Sequence, residues 1–115
     1  MDHIETARNS ILELGAEDYW HLADAAVYLP TVPEPIRQAI ARDAMVQLLE
    51  EGLVELFYGQ FATNEMTLVP RELAREVLND PSAWIGEKDA KGHIYAFINT
   101  DRGDALHRSH PARSS

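Results

Sequence analysis

Few side chains in this 115-residue chain have both the type and the spacing that chemistry needs. His107 and His110 are three positions apart, which would put two imidazoles on one helical face as a metal-binding pair. Pro111 follows at once in a polar tail, so a solvated terminus is the plainer expectation. Glu17-Asp18 and Glu50-Glu51 are adjacent carboxylates, but helical neighbours point apart and make poor acid/base pairs. His21 sits beside Tyr19 and Trp20 and is expected to be a partly buried structural histidine rather than a proton carrier. The absence of cysteine removes thiolate nucleophiles, disulfides and Cys-based zinc sites. Gly-x-Ser-x-Gly, a Gly-rich phosphate loop and His-Glu-x-x-His are all missing from the sequence. The expectation is a non-enzymatic protein with no catalytic residues, no metal and no cofactor.

Around these residues the sequence predicts a mixed succession of elements. Asp2 and Glu5 form a capping pair before an apolar stripe at Ile4, Ala7, Ile11, Leu12 and Leu14, giving a helix over 3–14 with Gly15 at its C′ position. Tyr19 to Leu22 is β-prone and merges into a compact helix that Pro30 ends. Thr31 and Glu34 offer a capping box for a third helix, which Gly52 terminates after the stripe Ile36, Ile40, Ala44, Met45, Leu48 and Leu49. Residues 53–58 and 66–69 read as two strands joined by a hairpin loop. Pro70 opens a helix over 71–78, and 93–99 is a further strand. Thr100 caps a short final helix, and residues 109–115 have no apolar anchor and are expected to be disordered. The expected organisation is one domain over residues 1–108.

Charge narrows the partners. Ten basic residues stand against nineteen acidic ones, a net charge of −9. The first sixty residues hold eleven of the acids and only three cations, Arg8, Arg37 and Arg42. Such a half repels polyanions and favours basic partners. No apolar run approaches the length of a membrane span and no secretory leader is visible, so a cytoplasmic, membrane-free protein is expected.

The element order, together with Leu48-Leu49-Glu50-Glu51-Gly52-Leu53-Val54, resembles a winged helix-turn-helix of the kind found in the MarR and PadR regulators. There the third helix ends in a similar Leu-x-x-x-Gly-Leu-Val, because glycine permits the tight exit and the next leucine drops back into the core. Thr100-Asp101-Arg102-Gly103 is similar to the helix start that follows a wing. The helix at 71–78 departs from that minimal pattern and looks similar to small bacterial winged-helix-like proteins. The resemblance implies an α+β fold: a winged helix with a small antiparallel sheet and extra C-terminal helices. It also implies duplex DNA as a partner, with Arg37, Gln38, Ala41 and Arg42 facing outward on the third helix. Against that, Glu34, Asp43 and Glu50 lie close by, and the stretch from Tyr58 to Glu65 has no lysine or arginine. Phosphate binding draws on about 6–10 cations, far more than this half supplies.

The leading expectation is therefore a non-catalytic acidic domain that binds a protein, either a basic partner or a second copy of itself. Small acidic neutralisers of toxic nucleases, immunity proteins and antitoxins, are the analogous class. Its expected contact residues are Glu17, Asp18, Trp20, Asp24, Glu34, Asp43, Tyr58 and Phe61, aromatic anchors among carboxylates. DNA-binding transcriptional regulation through Arg37, Gln38 and Arg42 is the alternative. A third expectation places a dimer contact on Ala74, Val77, Leu78 and Trp84.

Overall fold

The computed structural model describes residues 3–16, 19–27, 29, 32–60, 65–84 and 93–108. In chain order they form α1 (His3–Gly15), β1 (Trp20–His21), α2 (Asp24–Val27), α3 (Glu34–Glu50), β2 (Val54–Gln60), β3 (Glu65–Leu68) and α4 (Arg71–Leu78). A 3-10 turn (Pro81–Trp84), β4 (Ile94–Asn99) and α5 (Asp101–Arg108) complete the set. The fold is α+β: five helices and one antiparallel sheet in the order β1-β4-β2-β3 among the described residues.

The sheet sorts its side chains by alternation. Val54, Leu56 and Tyr58 of β2 stand opposite Asn99, Phe97 and Tyr95 of β4, with Trp20 of β1 beside Phe97. Phe97, Leu56 and Val54 are buried on this face and join the core with Ile11, Met45 and Leu48 from α1 and α3. Glu55, Phe57 and Gly59, opposite Ile98, Ala96 and Ile94, occupy the other face.

Helix α3 is the centre of the helical layer. It packs against α1, α2, α4 and β2, and buries Ala41, Ala44, Met45, Leu48 and Leu49. Its exit follows from the sequence. Gly52 takes φ 74°, Gly52 N–H donates to Leu49 O at 3.1 Å, and Leu53 N–H donates to Leu48 O at 2.9 Å. That paired pattern is a Schellman cap, which satisfies two terminal carbonyls and returns Leu53 to the core.

The start of α5 locks onto this exit. Thr100 Oγ1 donates to Gly52 O at 2.7 Å and accepts from Gly103 N–H at 3.1 Å, while Thr100 N–H donates to Leu53 O at 3.0 Å. Gly103 lies so close to Leu53 that a Cβ there would meet its carbonyl oxygen. Asn99, buried at the end of β4, donates from Nδ2 to Leu12 O at 2.8 Å and so satisfies a carbonyl near the end of α1.

Three local expectations change. Gly15 is the last helical residue, not a left-handed C′, and it is small because a Cβ would collide with the Asn99 side chain. Helix α3 starts at Glu34 after an extended Pro33 with no side-chain cap and with Pro35 in its first turn, while Thr31 of the expected capping box lies outside the described residues. The compact helix is confined to Asp24–Val27, since Leu22 and Ala23 form the turn that leads into it. The expected tail at 109–115 lies outside the described residues.

Candidate functional site

Helix α3 carries the residues that a DNA reader would use, and its surface can be followed residue by residue. Ile36, Ala39, Asp43, Gln47 and Glu50 recur at three- and four-residue steps and form its exposed ridge, flanked by half-buried Ile40 and Val46. No cation lies on that ridge. Arg37 points to the covered side, where its Nε donates to Val32 O at 2.7 Å. Ala41 is fully buried, against the expectation that it faces outward, because the neighbouring elements close over that side of α3. Gln38 and Arg42 line a recess shared with Leu78, Asn79, Pro81 and Trp84.

Three arginines on or beside α3 are engaged within the chain. Arg42 donates from Nε and Nη2 to Asp43 Oδ1, each at 3.3 Å. Arg75 of α4 pairs with Glu50 at 3.1 Å. Arg8 of α1 holds Glu51 in a two-pronged pair, one prong at 2.8 Å, and donates to Gln47 Oε1 at 3.0 Å. The hydrogen bond from Arg8 holds the Glu51 carboxyl below its ordinary range, and the same bond raises Arg8.

The acidic and aromatic residues expected to form one partner face are dispersed. Glu34 opens α3 and Asp43 lies two and a half turns further on, so the two point to opposite sides of the helix. Asp24 begins α2. Trp20 is half-buried and packs against the core from edge strand β1. Tyr58 is half-buried on β2, its ring 4.8 Å from Tyr95 and 5.1 Å from His93. Glu17, Asp18 and Phe61 lie outside the described residues. Of the residues assigned to a dimer contact, Ala74, Leu78 and Trp84 are buried in the core, and the Trp84 indole donates to Leu78 O at 2.9 Å.

A different concavity forms where β3 meets α4. Tyr58, Tyr95, Thr67, Leu68, Val69, Pro70, Leu73, Val77 and Glu76 line an open groove of about 340 Å³. Leu73 in its wall is 53% exposed, and Leu68, paired with Phe57 on the edge strand, is 50% exposed. The sequence signal for this place was weak, because its lining comes from β2, β3, α4 and β4. Its one local trace is Leu73, which extends the Ala74-Val77-Leu78 stripe of α4 to the exposed edge, one turn before Val77.

Among the described residues no group of three or more histidines and carboxylates is arranged to hold a metal ion, and no helix is long and apolar enough to cross a membrane. No protein-family model matches the chain, and neither a curated protein nor a solved structure matches it.

Proposed function

We propose that this chain is a winged-helix-type domain turned from DNA to protein recognition, a non-catalytic acidic binder of a basic protein. The winged-helix reading rests on the order α1-β1-α2-α3-β2 and on β4, which lies between β1 and β2. In this reading β4 is the strand that returns from the wing. Strand β3, helix α4 and the 3-10 turn are then built into the wing itself.

The observation that carries the functional reading is the α3 ridge. A helix that reads a duplex needs cations and hydrogen-bond donors on its exposed side, close to a field of phosphates. Here that side presents Ile36, Ala39, Asp43, Gln47 and Glu50, and Arg8, Arg37, Arg42 and Arg75 already answer carboxylates or a carbonyl of the same chain. A net charge of −9 adds a long-range penalty for a polyanion and a long-range attraction for a basic protein. A nuclease or another protein built to hold a polyanion has the complementary surface, in keeping with a neutralising, immunity-like role.

Fluorescence anisotropy with a labelled mixed-sequence duplex at low salt tests this. The expected result is no saturable binding at about 1–100 μM protein, the range of ordinary non-specific DNA binding. Saturable binding that weakens steeply with salt and with Arg37→Ala or Arg42→Ala would establish the regulator instead.

A further inference from the structure

We propose that the outer edge of β3, with the groove beside it, binds an extended segment of the partner by strand addition, and that this segment alternates apolar residues with lysine or arginine. The proposal rests on the protein-binding reading and gives it an address and a ligand chemistry.

The backbone supplies the first half of the site. Strand β3 is the last strand of the sheet, so among the described residues its outer side has no partner strand. The register pairs Tyr58 with Thr67 and Gln60 with Glu65, and Val69 N–H donates to Leu56 O at 2.8 Å. In an antiparallel ladder the hydrogen-bonded pairs alternate, so Glu65, Thr67 and Val69 direct their peptide groups toward β2. The peptide groups of Met66 and Leu68 therefore point to the open edge, where they present two donors and two acceptors to an incoming strand.

Side chains supply the second half. A strand laid along β3 sends alternate residues to the two sheet faces. On the face away from the helices they lie beside Met66 and the half-exposed Leu68, which suits apolar residues. On the helix-side face they enter the groove bounded by Thr67, Leu73, Val77 and Glu76, with Glu65 at the start of the strand. Glu76 among apolar walls, with Glu65 on the same sheet face at the start of the strand, favours a lysine or arginine whose methylenes pack while its charge meets the acids. A second copy of this chain fits less well, because its own edge from Glu65 to Pro70 brings another carboxylate and no cation.

The test uses the full-length protein and a phage-displayed library of random dodecapeptides. Enriched peptides are expected to alternate apolar and basic residues, and a synthetic version is expected to bind at least about tenfold more weakly to Leu73→Asp and to Leu68→Asp. Methylation of the peptide amides that face β3 is expected to lose a similar factor, and Glu76→Lys is expected to shift preference toward an acid-substituted peptide. Leu73 and Leu68 are about half exposed, so thermal melts of these variants should match the parent. If no peptide is enriched, or if binding ignores Leu73→Asp and backbone methylation, the site assignment fails. Loss of binding with Ile36→Asp alone overturns the groove while leaving protein recognition intact, whereas saturable duplex binding in the anisotropy assay removes protein recognition itself.

Discussion

Helices α3 and α4 divide the work of this molecule in opposite ways. Helix α3 is touched by α1, α2, α4 and β2, and it buries five apolar side chains. Helix α4 is short, buries Ala74 and Leu78 against the core, and leaves Leu73 and both its glutamates in solvent. A helix packed on several sides is a strut, and its remaining ridge is narrow. A helix held by one stripe leaves the flank beside that stripe open to a ligand. The surface open to a ligand therefore lies on α4 and β3 rather than on α3.

Substitutions can break or sharpen this contrast. The largest effect is expected from Leu48→Ala, which empties a fully buried site on α3 and should cost about 2–5 kcal/mol in a urea titration. Leu73→Ala on α4 should stay within about 0.5 kcal/mol in the same assay. Equal losses at both positions would mean that the groove wall is core after all. Gly103→Ala comes next, at about 3 kcal/mol, because the new methyl would collide with the Leu53 carbonyl and push α5 off the end of α3. Asn99→Ala should cost about 2 kcal/mol, since it leaves the Leu12 carbonyl without its buried donor.

The smallest effect concerns Arg8 and Glu51. The folded-state pKa of Glu51 is depressed by the hydrogen bond from Arg8, so this pair's contribution is complete above the ordinary glutamate pKa of 4.5 and fades as pH falls through the lower folded value. Both partners remain partly exposed, so Glu51→Gln should cost no more than about 0.5 kcal/mol near neutral pH. The difference between variant and parent should close in strongly acidic solution. A gap that widens on acidification would show that the pair has been read with the wrong sign.

The local signals in the sequence reached most of the frame. Periodicity located α1 and α3, alternation located β2, β3 and β4, Gly52 marked the exit of α3, and Thr100 marked the start of α5. Each of these depends on a few neighbouring residues. What stayed hidden depends on contacts between distant ones. Gly15 is small because of Asn99, and Gly103 because of Leu53. Ala41 is inside because the elements around α3 close over it, and β4 lies between β1 and β2 although β3 precedes it in the chain. The groove was illegible for the same reason: Tyr58, Leu73 and Tyr95 meet only after the sheet has formed. Composition gave the acidic charge but not where its carboxylates lie, and Glu34 and Asp43 fall on opposite sides of one helix.

Backbone amide shifts of the full-length protein, followed by NMR as the selected apolar–basic peptide is added, examine the strand-addition site without intermediaries. The amides of Met66 and Leu68 should move most and gain protection from hydrogen exchange, while those of Ile36, Ala39, Asp43 and Gln47 stay still. Movement along the α3 ridge with β3 unchanged would contradict the account.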